Sequence, residues 1–424
     1  MKRKPFWIVC LVVVALATVA AFKLREHRRG ELVFTQAPAY QFEPHTLTTA
    51  EAKRPVVAAT ASDELYLLAV ENHAGNSTLY LRMSHDQGDS WMQPQLLSSP
   101  DASVNASAES APRLAAHGMY AYALWQERSD KNGPQLRMAR SSGMAGKPPT
   151  AISVTDTPPD SKAFAGFASL GVAPNGDVYA VWLDGRDNTV AKTGTFNVYL
   201  ARSTDKGLSF HKNVKVASTA CPCCRPSVAF GPSGEVYIAY RHVDGENIRD
   251  IAVVVSHDQG DHFSDPVIAA HDNWKIVGCP ESGPVATVQN GKLIVAWYTA
   301  VDKAGIRLAE SADQGKTFSP EFNVSGNVLD ANHPYIASSE DGRVALVFSG
   351  RIPGSDGSWG TLRVFAVGIS PDGRVSMPEE VPGDTNGDHY PTVTVAQGNR
   401  IFVAGSTKEN EVASSYLSRA RQIN

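Results

Sequence analysis

Seven short apolar runs recur along this chain at an almost constant interval, and that period limits what it can fold into more than any other feature. The runs are 66–70 (YLLAV), 120–125 (YAYALW), 178–182 (VYAVW), 236–240 (VYIAY), 293–297 (LIVAW), 344–348 (VALVF) and 401–405 (IFVAG). Their last residues are spaced 55, 57, 58, 57, 51 and 57 positions apart. A repeat of this length marks one supersecondary unit used many times over. Each run has the length of a strand and is rich in β-branched and aromatic residues. Several follow a turn dipeptide such as Asn175-Gly176 or Ser233-Gly234.

Most runs are preceded by a proline that opens an alternating stretch: Pro55-Val56-Val57, Pro226-Ser227-Val228, Pro284-Val285-Ala286, Pro334-Tyr335-Ile336 and Pro391-Thr392-Val393. Another strand pattern follows each run, as in 79–82 (LYLR), 198–202 (VYLAR) and 251–255 (IAVVV). Three or four strands per period, repeated radially, describe a β-propeller. The expected architecture is all-β, with seven blades of four-stranded antiparallel sheet over residues 31–424, six blades being the alternative. The seventh repeat ends after its third strand. Its missing outer strand is expected from the N-terminal side, at 31–36 (ELVFTQ), which would tie the chain ends together.

Four copies of one octamer stand after third strands: 84–91 (SHDQGDSW), 203–210 (STDKGLSF), 256–263 (SHDQGDHF) and 311–318 (SADQGKTF). Ser and Asp can bind the backbone of a tight turn, and Gly88, Gly207, Gly260 and Gly315 permit positive φ. The aromatic is expected to plug the space between neighbouring strands. Degenerate copies stand at Ser141 and at Ser370-Pro371-Asp372-Gly373. With these octamers in register, the chain resembles the Asp-box (BNR repeat) proteins of the sialidase superfamily. The resemblance covers almost everything after residue 50 and implies a propeller. Sialidases are usually six-bladed, whereas seven repeats are counted here. The octamers read as structural, since turn chemistry accounts for every fixed residue.

In a propeller, the loops before the first strand and after the second strand of each blade open on one face, near the axis. The first set brings Lys53-Arg54, Glu109, Cys221 to Arg225, Cys279-Pro280-Glu281, Asn332-His333 and Asp388-His389-Tyr390 to the mouth. The second set adds Asp184-Gly185-Arg186-Asp187, Arg241-His242 and Arg351. The resemblance implies three arginines gripping a substrate carboxylate, a tyrosine nucleophile activated by a glutamate, and an aspartic acid. Tyr390 matches the family's last-blade tyrosine, with Glu281 as candidate partner and Arg54, Arg225 and Arg351 as candidate clamps. Asp184-Gly185-Arg186 resembles a family E-G-R segment, but in the third blade. The family's F-R-I-P motif is matched loosely by Ala52-Lys53-Arg54-Pro55, and the first blade has no acidic insertion. The catalytic set is therefore incomplete.

Four of the five cysteines lie in two consecutive mouth loops: Cys221, Cys223 and Cys224 in one, Cys279 in the next. Three readings stand side by side. The four form one or two structural disulfides, for instance Cys279 with one of the other three; or the thiols, with His333 and His389, hold Cu(I) or Zn(II); or some are free and redox-active.

Residues 6–22 (FWIVCLVVVALATVAAF) carry no charge and follow Lys2, Arg3 and Lys4. Such a run is a membrane anchor or a secretory signal peptide. The basic residues directly behind it, Lys23, Arg25, Arg28 and Arg29, favour an uncleaved anchor. Residues 1–30 are thus read as one apolar helix tethering an extracytoplasmic body. The first 29 residues hold seven of the 39 Lys and Arg and one of the 43 acids. The body therefore carries 32 basic against 42 acidic residues, about −10. That charge argues against a nucleic-acid partner. The function expected is a propeller binding a metal or a small ligand such as a glycan at its mouth. The alternatives are an exo-sialidase and a scaffold for an exported complex.

Overall fold

The structure is a computed structural model, and it describes residues 33–35, 39–43, 46–50, 52–73, 76–99, 103–128, 134–143, 149–158, 163–187, 194–339, 341–354, 359–383, 390–409 and 412–422. These residues form seven sheets, antiparallel but for one edge strand added from the N-terminal side. The innermost strands are Ala52–Ala59, Arg113–His117, Ala165–Val172, Ser227–Phe230, Val285–Gln289, Leu329–Ser338 and Thr392–Ala396. The seven apolar runs lie in the second strands: Leu65–His73, Tyr120–Arg128, Val178–Asp184, Val236–Arg241, Lys292–Thr299, Val344–Arg351 and Arg400–Glu409. The ring has seven blades, not six.

The runs are apolar at consecutive positions because both faces of each second strand are covered by a neighbouring blade. In the third blade, Tyr179, Val181 and Leu183 pack on Val236, Ile238 and Tyr240 of the fourth. The intervening Val178, Ala180 and Trp182 pack on Tyr122 and Leu124 of the second. The period of two along a strand therefore sorts one run between two interfaces. Each such large side chain contributes roughly 1.5–3 kcal/mol on leaving water.

Innermost strands touch in sequence around the ring, and Thr392–Ala396 closes it against Ala52–Ala59. At that seam the Thr392 hydroxyl donates to the Pro55 carbonyl at 3.1 Å. The outer part of the seventh blade does come from the N-terminal side, but not from 31–36. The third strand Val412–Gln422 pairs with Tyr40–Phe42 and with Thr46–Ala50. Val33–Thr35 instead adds in parallel to Arg374–Ser376, on the edge of the sixth blade. An eleven-residue strand offers more edge than one three-residue partner can cover, and two short strands share it.

The octamers form the turns expected of them. Ser84, Ser203, Ser256 and Ser311 each donate to the aspartate two residues on, at 2.7–2.8 Å. Each also accepts the glycine N–H four residues on, at 2.7–2.8 Å. Gly207, at φ +79, lies against Tyr122 and Met138 of the preceding blade, so these turns also seat one blade on the next. Trp91, Phe210, Phe263 and Phe318 pack into the inter-blade cores. Hydrogen bonds from Ser90 hold the Asp86 carboxyl down at about 2.

Among the described residues, no helix is long and apolar enough to cross a membrane. The apolar helix expected at 1–30 lies outside the described residues.

Candidate functional site

The candidate site is built around Arg225, one of several buried arginines. Arg225 stands directly before Pro226, at the start of the fourth blade's inner strand, and is 9% exposed. Its Nη2 donates to the Glu109 carbonyl, and its main-chain N–H donates to the Glu109 carboxylate at 3.3 Å. Its Nη1 lies 3.7 Å from that carboxylate. Its Nε is buried and has no hydrogen-bond partner among the described residues. Burial lowers the Arg225 pKa, and the charge of Glu109 opposes the shift. Glu109 is itself placed by a single 3-10 turn, Ala108–Ser110. On the other side, Gly283 comes so close that a Cβ there would overlap the Arg225 backbone. A glycine at this position is what lets the fifth blade's loop press against the arginine.

Arg225 lines a cavity of about 110 Å³ together with Glu109, Arg113, Ser169, Ser227 and Tyr335. Arg113 is buried, with its guanidinium 5.6 Å from the Tyr335 ring centroid. Tyr390, half-buried, completes the mouth. The Arg54 guanidinium lies over its ring at 4.5 Å, and the His333 ring packs on it at 4.0 Å between centroids. Arg54 Nε also donates to the Ala106 carbonyl at 2.8 Å. Burial drives the Tyr390 hydroxyl well above its ordinary pKa. Glu109 and Glu281 push it the same way, while Arg54 and Arg225 pull it down. Three non-glycine residues of this cluster take left-handed backbone: Arg54 (φ 53), Glu281 (φ 47) and His333 (φ 51). Two of them precede prolines, where the right-handed helical region is disfavoured. Backbone of this kind is costly and persists only where the surrounding structure holds it in place.

Of the residues expected at the site, Tyr390, Arg54, Arg225 and Glu281 thus come within electrostatic reach of one another. Asp184 and Arg186 are held in a network of the third blade instead. Asp184 accepts the Trp182 indole N–H at 2.7 Å and Arg186 Nη2 at 2.9 Å, and Arg186 also binds Asp156 and Asn213. That arrangement is a strut beneath a buried tryptophan. Arg351 pairs with Asp330 at 3.4 Å and donates to the Gly360 carbonyl at 3.0 Å. His389 lies outside the described residues. Sequence reasoning missed Arg113 and Tyr335. The signal for Arg113 was present in Pro112, the second repeat's own mouth proline.

The cysteines form a second cluster beside the first. Cys223 and Cys279 are joined as a disulfide across the mouth loops of blades four and five, with Cα atoms 6.3 Å apart, inside the usual range. Cys221 and Cys224 are free and buried. Cys221 Sγ lies 3.7 Å from Cys223 Sγ, and Cys224 Sγ lies 4.0 Å from it. Arg249 Nη1 donates to Cys221 Sγ at 3.3 Å. The hydrogen bond with Cys224, helped by Arg241 and Arg249, lowers the Cys221 pKa, whereas burial raises that of Cys224. The sulfurs of Cys221, Cys223 and Cys224 all lie within 4.8 Å of one another. A disulfide sulfur is no thiolate ligand, so two thiolates remain here, a number that suits Cu(I) and falls short of the four ligands a structural Zn(II) takes. His333 packs on Tyr390 and does not join the thiols.

No family model and no curated protein matches the sequence. Solved structures resemble it in fold. A protein of unknown function from Dyadobacter fermentans is 15% identical with a TM-score of 0.51, covering 91% of this chain and 100% of its own. The Hadza microbial sialidase Hz136 is 13% identical with a TM-score of 0.48, over 88% of this chain and 66% of its own. An α-L-arabinanase of Penicillium chrysogenum, complexed with arabinobiose, is 12% identical with a TM-score of 0.47, over 89% and 98%. The fold is a seven-bladed β-propeller. At these identities the likeness concerns the fold, and chemistry has to be argued from the mouth itself.

Proposed function

We propose that this sialidase-like propeller is a binding protein whose channel mouth takes a small ligand bearing a carboxylate, of the acidic-sugar class. The observation that carries the reading is Arg225: a nine-tenths buried guanidinium on the wall of the channel cavity, with a buried Nε that no described protein group satisfies. Leaving a charged donor unpaired in low dielectric is costly, by roughly 1–3 kcal/mol or more. A carboxylate accepting from that edge would remove the cost. The 110 Å³ cavity holds an anionic group and little else, so the body of the ligand would lie against Tyr390, Tyr335 and Arg54. Arg113 and Arg54 supply further positive charge. We place the body outside the cytoplasm, tethered by the 6–22 run, because that run is uncharged and basic at both ends.

The test is calorimetric titration with N-acetylneuraminate, glucuronate and neutral glucose. Saturable binding of an acidic sugar, absent for glucose and abolished in Arg225→Met, supports the reading. No binding of either acid overturns it. Membrane retention through carbonate washing, lost on deleting residues 1–30, tests the tether.

A second reading, exo-sialidase action, is favoured by the approach of Glu281 and two arginines to Tyr390. Tyr390 would attack with a carboxylate taking its proton. Release of fluorophore from a fluorogenic sialoside, lost in Tyr390→Phe, would support it. Unchanged release in that variant would remove Tyr390 from the chemistry.

A further inference from the structure

The sulfur cluster is more than a staple. Cys221-Pro222-Cys223-Cys224 contains a C-x-x-C pair, Cys221 and Cys224, interleaved with one half of a disulfide. The pair is folded as a turn, with the Cys224 N–H directed at the Cys221 carbonyl at 3.5 Å. Both thiols lie against Val243 and Phe167, shielded from water. The far end of the disulfide, Cys279, is exposed. Two buried thiols thus sit at 3.7 Å and 4.0 Å from a disulfide sulfur whose partner faces solvent. Arg249 donates to Cys221 Sγ, and Arg241, fully buried, carries a second positive charge beside the loop. Cations next to a C-x-x-C sulfur favour its thiolate, the form that attacks disulfides.

We propose that Cys221, Cys224, Cys223 and Cys279 form a thiol–disulfide relay that carries two electrons from the buried C-x-x-C pair to a disulfide-bearing partner at the exposed Cys279. The steps balance. Cys221 thiolate attacks Cys223 Sγ; the Cys221–Cys223 bond forms, the Cys223–Cys279 bond breaks, and its electron pair leaves on Cys279. The Cys279 thiolate attacks a partner disulfide, giving a mixed disulfide and one partner thiol, which takes a proton from water. Cys224 then passes its proton to the departing Cys223 sulfur, 4.0 Å away, as its own sulfur attacks Cys221, forming Cys221–Cys224 and freeing Cys223. Cys223 resolves the mixed disulfide, restoring Cys223–Cys279 and releasing the second partner thiol. In sum, Cys221 and Cys224 are oxidised to a disulfide and the partner disulfide is reduced to two thiols. The relay stands independently of the anion site, since it uses none of Arg54, Arg113 or Arg225.

The test uses the full chain with oxidised glutathione as the probe, followed by mass spectrometry of alkylated, non-reduced peptides. The expected result is loss of two free thiols, appearance of a Cys221–Cys224 disulfide and two glutathione thiols per chain. Cys224→Ser should instead accumulate glutathione on Cys279. The double variant C223S/C279S keeps the C-x-x-C pair but removes the exposed route, and its oxidation should slow by about tenfold or more. Melting curves identify variants that have lost the fold. The proposal is overturned if the native thiols stay unoxidised, or if C223S/C279S, still folded, reacts as fast as the parent. Purification of the parent with one copper or zinc per chain on an unreactive Cys221–Cys224 pair also overturns it, in favour of a metal site.

Discussion

The guanidinium carbon of Arg54 sits 4.5 Å from the centroid of the Tyr390 ring. The two residues belong to the first and seventh repeats and meet because the ring closes between them. Arg54 is held there by its left-handed backbone, by the proline that follows and by its bond to Ala106. A contact of this kind is worth roughly 0.5–2 kcal/mol, depending on how dry it is. Its larger effect is to aim a positive charge along the mouth, where a ligand carboxylate would meet it.

Arg54→Lys should therefore cost affinity rather than stability. A lysine keeps the charge but loses the planar fork and the stacking that fix it over Tyr390. Affinity for whichever acidic sugar the mouth binds is expected to fall by about tenfold, or about 1.4 kcal/mol, with the melting temperature nearly unchanged. Calorimetric titration beside a thermal melt separates the two.

Arg225 behaves differently, because it is buried against Glu109. Arg225→Met leaves that carboxylate, 5% exposed, without its charge partner, and should destabilise the fold by about 3–5 kcal/mol. Pairing it with Glu109→Gln removes the stranded charge and should recover most of the loss, while ligand binding stays abolished. Denaturant midpoints of the single and double variants give the comparison.

Several second-strand tyrosines also set an alkaline limit. Burial pushes the hydroxyls of Tyr66, Tyr122, Tyr179 and Tyr237 from an ordinary value of 10.0 up to about 12. A raised folded pKa means that the folded state keeps protons the unfolded chain gives up. The stability from this source is complete below pH 10 and is lost as pH rises through about 12. Urea midpoints should accordingly stay flat up to pH 10 and fall steeply above it. Absorbance at 295 nm should show these phenols ionising together with unfolding.

Much of this was legible in the sequence because it is written locally. A run such as 178–182 is apolar throughout since blades press on both its faces, and the period of such runs counted the blades. The octamers announced their turns through a serine and an aspartate two positions apart, side chains that bind each other and the backbone nearby. Asp205 does so with Ser203 and Ser209. The mouth was legible in part. Prolines marked where Arg54, Arg225 and Tyr390 would converge. Asp184 and Arg186 went elsewhere because a buried indole N–H needed an acceptor, and Trp182 claimed one two residues on. Nothing local tells Cys223 from its neighbours; its pairing with Cys279 depends on how two loops 56 residues apart are set side by side.

The same limit applied to ring closure, and it yields a direct test. Tyr40 is 4% exposed and packs among Val364, Val381, Val393 and Ile401, at the junction of the sixth and seventh blades. Its hydroxyl lies 3.4 Å from the Val367 carbonyl. Tyr40→Ala should cost about 3–5 kcal/mol, as large aromatic truncations in cores do. Thr35, half-buried on the sixth blade's edge, should tolerate alanine within about 0.5 kcal/mol. If 40–42 is the closing strand, limited proteolysis of Tyr40→Ala should cut first within 400–422, the strands it covers, while Thr35→Ala resists like the parent. Equal protection in both variants would mean that closure rests on the 46–50 pairing and the Thr392–Pro55 seam instead.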